Sequence, residues 1–420
     1  MIKLKKIGFV NILMALILIT FVVPPKILNV IFIGVLLGLT FVRHIINNNF
    51  HKTNFNKVSL FFILYFFMLL VSLFYSKDLK TGVSVIISSL SFLVIPLIPL
   101  FISKKEVNLK LITKSYIGFL CLLFFFLFST SIYKNVIEGY TLEYVVDTLR
   151  GREVEKGRYD YFNYWYFAYE NFTSPIGIQP IYLGVFTNIG VVFLFYLKKI
   201  RKIKYYYFQL ITLGLLILLA ASRWQILIFA LNYFIFIIFI DNSTFTKKTF
   251  ILVSLVATIL AIGAINPVTR IRAKESFSNK EAFYQDHFGG TSIRLKKWTN
   301  AIRSIAAGSI AGYGVGDAKN KLLDQYKKDK FYLGYYNKYN SHNQYLDTLL
   351  YGGLFSFSIL ILIFFYAYKY AVNKIYLLLM TNVFSVGFFT ESMLSRQWGV
   401  VSFSFFLIMF TTFEFTINDD

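Results

Sequence analysis

The sequence predicts an all-α polytopic integral membrane protein with about twelve transmembrane helices and a large helical outer loop before the tenth span. Three observations carry this prediction. Of 420 residues, 57% are hydrophobic, 20% aromatic and 15% charged, where a soluble domain has roughly a quarter charged. Apolar runs of spanning length recur along the chain, at 7–23, 27–42, 58–75, 82–102, 115–133, 178–197, 205–221, 224–240, 249–265, 346–366, 375–390 and 400–417. Lys and Arg also sort into alternate connections. No soluble domain, low-complexity tract or internal repeat is visible. Residues 1–420 therefore read as a single membrane domain with two long loops, 134–177 and 266–345.

In chain order, Lys3, Lys5 and Lys6 lead into the first apolar run as in a signal peptide. There is no small-residue cleavage site, and Pro24-Pro25-Lys26 runs straight into the next apolar stretch, so the expectation is a retained first span. One set of connections carries Arg43, Lys52 and Lys57, then Lys104, Lys105, Lys110 and Lys114. It continues with Lys198, Lys199, Arg201, Lys202 and Lys204, with Lys247 and Lys248, and with Lys369 and Lys374. The opposite short connections hold only Lys26, Lys77, Lys80, Arg223 and Arg396. The positive-inside bias makes the first set cytoplasmic, together with both termini, and an even number of spans agrees. This distribution explains the formal net charge of +22 without a nucleic-acid partner. The single cysteine, Cys121, lies in an apolar run, which excludes a disulfide or a cysteine-based metal site.

Both long loops fall on the outer face. Loop 134–177 is slightly acidic and rich in aromatics (Tyr159, Tyr161, Phe162, Tyr164, Trp165, Tyr166), whose ring faces could stack on sugars. Loop 266–345 is basic, with Arg270, Arg272, Lys274, Arg294, Lys296, Lys297 and Arg303. Long loops escape the charge bias, so this basicity fits either a headgroup-touching surface or an anionic ligand. Residues 291–305 have helical spacing. Trp298, Ala301, Ile302 and Ile305 form the expected apolar stripe, Arg294 lies on its edge, and Lys296 and Arg303 point elsewhere. Gly312-Tyr313-Gly314-Val315-Gly316 suits a tight turn or close backbone approach, and is a weak phosphate-cradle signal.

Arg223 stands between two apolar runs with no loop to spare. In a membrane core an arginine costs about 2.5–3.5 kcal/mol on insertion scales, so it is a functional candidate, with snorkelling at a helix end as the alternative. Arg396 has the same ambiguity, and Glu391 is near enough in sequence to pair with it. Ser341 and Gln344 have the spacing of a capping box, which would put His342 in the first turn of a span. There the helix dipole disfavours imidazolium and favours a nearby anion.

Arg223, Arg294 and His342 together suit a diphosphate. Guanidinium groups are planar, bidentate and always charged, and a neutral imidazole can accept a proton from an attacking hydroxyl. A diphosphate leaving group needs no general acid, only charge stabilisation. The outward segments lack Asp-x-Asp, His-Glu-x-x-His and Gly-x-Ser-x-Gly, so neither a metal nor a cofactor is expected. Arg396, Glu391, Asn343 and Trp298 are second-rank candidates for substrate binding.

These residues resemble a family. The set comprises about twelve spans, Ser222-Arg223 at an outer helix end, Arg294 with Trp298, Gly312-Tyr313-Gly314-Val315-Gly316, and His342-Asn343-x-x-Leu346 with Gly352-Gly353. Their order and topology are similar to the O-antigen ligase and O-antigen polymerase superfamily. The resemblance implies a metal-independent, inverting glycosyltransferase of the bacterial inner membrane, with its active site facing the periplasm. The implied donor is an undecaprenyl-diphosphate-linked glycan, and the acceptor is lipid A-core or a growing glycan. It also implies essential roles for Arg223, Arg294 and His342, the last as base or as positioning residue. Pro180-Ile181-Tyr182 fits a further family pattern, but Gln179 stands where many members have histidine, so that position is assigned no chemistry. A ligase is the first expectation and a polymerase of the same superfamily the second. A polyprenyl-glycan flippase is the alternative from another class. It predicts charges at mid-span and paired broken helices, whereas Asp347 and Glu414, the exceptions to nearly uncharged spans, lie near span ends.

Overall fold

The computed structural model describes residues 8–23, 25, 27–47, 51–137, 164–200, 203–239, 290–372 and 374–413, and among them every regular element is helical. The α-helices are α1 (Phe9–Thr20), α2 (Ile27–Asn47), α3 (Lys57–Leu73), α4 (Leu79–Ser89), α5 (Ser91–Val94), α6 (Leu109–Ile137), α7 (Tyr169–Thr173) and α8 (Pro180–Lys199). They continue with α9 (Tyr206–Leu219), α10 (Arg223–Phe239), α11 (Gly290–Ala307), α12 (Ala318–Lys328), α13 (Tyr332–Tyr336), α14 (Gln344–Ala371), α15 (Ile375–Gly387) and α16 (Gln397–Thr412).

Among the described residues, five helical stretches suffice by length and composition to cross a membrane: Ile27–Asn47, Leu79–Phe101, Leu109–Val136, Pro180–Lys199 and Gln344–Ala371. Six shorter apolar helices, α1, α3, α9, α10, α15 and α16, occupy other expected spans. The expected span 249–265 lies outside the described residues. The run expected at 82–102 is not one regular helix. It breaks into α4, α5 and a 3-10 segment, Ile95–Phe101, because Pro96 and Pro99 have no N–H to continue an α ladder. Side-chain caps open two neighbouring helices: Asn56 accepts from Ser59 N at α3, and Asp78 Oδ1 from Thr81 N at α4, each at 3.0 Å.

The chain forms two compact units. The first comprises Met1–Tyr116, Phe195–Lys202 and Lys296–Asp420. In it α14 packs along α3 and then against α15, which packs on α16. Phe62, Phe92, Phe364, Phe388 and Phe403 interlock between these helices, and Tyr65 Oη meets Thr348 Oγ1 at 3.2 Å. At one end of this unit Arg43 makes a two-pronged ion pair with Glu106 at 2.7 and 3.1 Å. Asn11 clamps the same connection through Glu106 O and Asn108 N. Elsewhere in the unit, Asp317 accepts from Lys77 N and Asp78 N, at 2.7 and 3.1 Å. Gln344 Oε1 accepts from Leu394 N at 2.7 Å. The contacts thus join basic-set connections to each other, and opposite-set connections to each other, as the charge bias sorts them.

The second unit comprises Ile117–Leu194 and Ile203–Leu295. Gly184 on α8 lets the Gln225 side chain of α10 lie flat against it, since an added Cβ would stand 2.6 Å from Gln225 Cγ. Asn188 Nδ2 then donates to Gln225 O at 3.0 Å and to Oε1 at 3.1 Å, giving those N–H groups partners in apolar surroundings.

Candidate functional site

The segment 340–347 carries the expected histidine, but the local geometry differs from a capping box. Asn343 is the N-cap of α14: its Oδ1 accepts from Tyr345 N at 3.0 Å and Leu346 N at 3.2 Å. Ser341 stands outside the helix, 2.5 Å from Asp347 Oδ1, and Gln344 reaches Leu394 N instead of turning back. His342 therefore precedes the helix and does not lie in its first turn. It is held at φ +50°, with its N–H donating to Asn340 Oδ1 at 3.2 Å. Asparagine wins because its short side chain spans two N–H groups at once from an extended backbone. Asn343, expected to bind substrate, thus has its carbonyl oxygen occupied by the cap.

His342 Nδ1 lies 3.1 Å from Glu391 Oε2. Glu391 is 4% exposed, so the carboxylate is a fixed, largely desolvated neighbour. An ionised carboxylate only accepts, so against one Nδ1 is the donor, and a neutral imidazole in that tautomer presents Nε2 as an acceptor. The histidine ring also meets the edge of Tyr339, centroid to centroid 6.3 Å. Over the Tyr339 ring, 3.7 Å from its centroid, sits the ammonium of Lys297, a residue only 5% exposed. Burial pushes the Tyr339 phenol above its ordinary value, so the ring stays neutral beneath the cation. Arg396 is exposed, at the N-cap position of α16, while Glu391 turns to His342. The Glu391–His342 and Lys297–Tyr339 contacts join residues far apart in sequence, and periodicity carries no trace of them.

The helix holding Arg294 and Trp298 is α11, and its buried face is rotated from the expected stripe. Ile302 is 55% exposed, whereas Lys297, Asn300, Ala301 and Ser304 are buried. The face follows small and polar residues because α11 packs closely: Ala301 joins Ala318, Leu322, Tyr326 and Leu350 in one core cluster. Arg294 occupies the first turns of α11 and is half-buried, while Lys296 and Arg303 are exposed as expected, Arg303 pairing with Asp329. In the second unit, Arg223 opens α10 directly after the turn Ala220-Ala221-Ser222 and is exposed. Tyr166, expected among the sugar-stacking rings, is instead fully buried, with its carbonyl accepting from Ser131 Oγ at 2.8 Å. Tyr159, Tyr161 and Phe162 lie outside the described residues.

Gly312-Tyr313-Gly314-Val315-Gly316 is a splice, not a phosphate cradle. Helix α14 breaks at Gly352 and Gly353, the latter at φ +60° and ψ −151°. Into the break comes the loop: Tyr313 N donates to Leu350 O and Gly314 N to Tyr351 O, while Leu354 N donates to Ile310 O, each at 2.9 Å. On its other side, Val315 N reaches Ser72 Oγ at 3.3 Å and Gly316 N reaches Ser76 Oγ at 3.1 Å. Those amides are all engaged by protein. Interrupted backbone at membrane depth is tolerated only where such partners exist.

The described residues thus define an all-helical membrane protein, with a carboxylate-oriented histidine at the head of a broken, apolar helix. Residues 208–361 match the family model described as O-antigen ligase, a stretch that takes in Arg223, Arg294, His342 and the helix break. Over that stretch the chain is similar to the O-antigen ligase family. No curated protein matches the chain.

Proposed function

We propose that the protein transfers a glycan from an undecaprenyl-diphosphate carrier to an acceptor sugar on the periplasmic face of the bacterial inner membrane, in the manner of an O-antigen ligase. The observation that carries this reading is the His342–Glu391 pair, with His342 inside the stretch that matches the O-antigen ligase family model. An acceptor hydroxyl attacks the anomeric carbon as the bond from that carbon to the diphosphate oxygen breaks. The hydroxyl proton passes to His342 Nε2, the configuration inverts, and the carrier departs as its diphosphate. Arg223 and Arg294 are assigned the diphosphate charge on the chemistry of guanidinium groups. Trp298, Arg396 and Asn343 are kept as substrate-side residues of lesser weight, and Glu391 orients the base. Lipid A-core is the first acceptor; a growing glycan chain, the polymerase reaction, is the second.

The transport reading draws on one observation, the interruption of α14, because broken helices line many transporter sites. Here the protein's own loop engages that interruption through its backbone amides, which weighs against it. The deciding experiment reconstitutes the purified protein with a polyprenyl-diphosphate glycan and candidate acceptors, with and without EDTA. The expected result is acceptor glycosylation that survives chelation. Loss of transfer on chelation overturns the metal-free mechanism, and movement of intact carrier between leaflets without cleavage of the sugar bond overturns transfer itself.

A further inference from the structure

His342 has a backbone conformation that an L side chain resists, φ +50°, and it precedes α14, so the helix's own ladder does not hold it. Its neighbours do. Ser341 N donates to Asp347 Oδ1 at 3.3 Å, and Ser341 Oγ stands 2.5 Å from the same oxygen. Asn343 N donates to Ser341 Oγ at 3.1 Å. The serine hydroxyl also lies 2.8 Å from Asn343 O, but it has one hydrogen, and the shorter contact, to the carboxyl oxygen, takes it. Both neighbours of His342 therefore hang on Asp347, one directly and one through the serine.

The grip is buried: Ser341 is 0% and Asp347 3% exposed, while the His342 side chain is 29% exposed. An acidic residue in the first turn of a helix is ordinarily explained by the helix dipole. That accounts for an acid at this position but not for its bonds, which run backwards to a residue outside the helix. The same helix end also sets the place of Glu391. Gln344 N donates to Phe388 O at 2.8 Å and Gln344 Oε1 accepts from Leu394 N at 2.7 Å, so the chain on both sides of Glu391 is tied to α14. Ser392, the residue after Glu391, is fully buried and lies close to the Asp347 carboxyl without closing a hydrogen bond. Asp347 thus stands where the segment carrying the imidazole meets the segment carrying its carboxylate partner.

We propose that Asp347 is a positioning residue for His342. By gripping Ser341 it fixes the left-handed turn at His342, and that turn aims Nδ1 at Glu391 and presents Nε2 to the acceptor. Asp347 itself does not touch substrate. The consequence for catalysis rests on the transfer reading above; the consequence for the imidazole does not.

Two measurements test it. The first is NMR of the histidine ring nitrogens in the full-length protein in liposomes, where the chain's four histidines give few signals and His342→Ala assigns one set. In alkaline buffer wild type is expected to show His342 with its proton on Nδ1. Ser341→Ala and Asp347→Ala should each lower the ratio of the Nδ1-protonated to the Nε2-protonated form by about tenfold. The second is steady-state kinetics: each variant should lose about a hundredfold in kcat, with KM for donor and acceptor nearly unchanged. Asp347→Asn keeps an oxygen for Ser341 and should recover most of the lost kcat. A single variant strands its partner in the interior, so the double variant, which removes donor and acceptor together, keeps the test usable if a single one fails to fold. It should lose no more kcat than either single variant, since the two residues act in one chain of contacts. A folded double variant with the wild-type tautomer, or with wild-type kcat, overturns the proposal. So does an Asp347→Asn variant with no more kcat than Asp347→Ala. If wild type transfers no glycan, the transfer reading falls by itself, and the tautomer ratio still decides what Asp347 does to His342.

Discussion

At the scale of single residues, the pairing of His342 with Glu391 sets what the imidazole can do. A buried carboxylate facing Nδ1 selects one tautomer, and only that tautomer offers Nε2 to an incoming hydroxyl proton. Replacing Glu391 by glutamine presents an amide that can donate to Nδ1 and so favours the opposite tautomer. We expect Glu391→Gln to lower kcat by about a hundredfold or more with little change in acceptor KM, and His342→Ala to abolish transfer. Steady-state kinetics on reconstituted protein checks both, and a Glu391→Gln variant with wild-type kcat removes the orienting role. His342 was legible from sequence because a polar residue heads an apolar run; its partner was not. Glu391 lies 49 positions away, and a contact of that range leaves no periodic signature. The error over Ser341 is of the same kind. Spacing allows a capping box there, but Asp347 competes for the serine hydroxyl, and Asn343 is the better cap once Ser341 is engaged.

Among elements, α14 and α11 show how far pattern reading reaches. Apolar run lengths located the apolar helices but not α7, α12 and α13, because a span's length is dictated by the hydrocarbon it crosses and theirs is not. Rotation about the helix axis was less legible. For α11 the hydrophobic stripe pointed to Ile302, yet the interior took Lys297, Asn300 and Ser304, a choice that depends on what the neighbouring elements offer. Gly352-Gly353, noted above only within the family resemblance, lies in an apolar run where a glycine pair can mark a break or a close approach. The structure makes both true at once. An added Cβ on Gly353 would stand 1.8 Å from Ile310 O, at a φ that L-residues resist, whereas one on Gly34 of α2 meets nothing within 4 Å. Gly353→Ala should therefore cost about 3 kcal/mol or more, and Gly34→Ala almost nothing. Thermal unfolding in detergent measures the contrast, and equal melting temperatures for the two variants would refute the role assigned to the break.

For the whole molecule, topology is the property on which the rest depends. The Arg43–Glu106 ion pair joins two connections of the basic set, and Asp317 binds the 77–78 connection of the opposite set. Such contacts agree with a two-sided sorting of loops, and the charge bias predicts which side is the periplasm. The native chain has one cysteine, Cys121, and it is buried, so single-cysteine reporters need little background correction. In intact spheroplasts a membrane-impermeant maleimide should label Lys328→Cys and leave Lys110→Cys unlabelled until the membrane is opened. The reverse pattern inverts the topology and removes a periplasmic site.

The splice between the glycine loop and α14 has a kinetic consequence. Backbone amides exchange with solvent only when their hydrogen bonds open, and bonds that tie the same two segments together open as one cooperative unit. The N–H groups of Tyr313 and Gly314 hang on Leu350 O and Tyr351 O, and Leu354 N–H hangs on Ile310 O. A surface loop would ordinarily lose its protection within seconds. Deuterium uptake at 313–314 should instead follow that at 354, slow and in step, and a loop that exchanges long before the helix would show that the splice is not kept in the membrane. If uptake is coupled as expected, the outer segment and the membrane helix open as one unit, and the ground on which His342 stands moves only when both do.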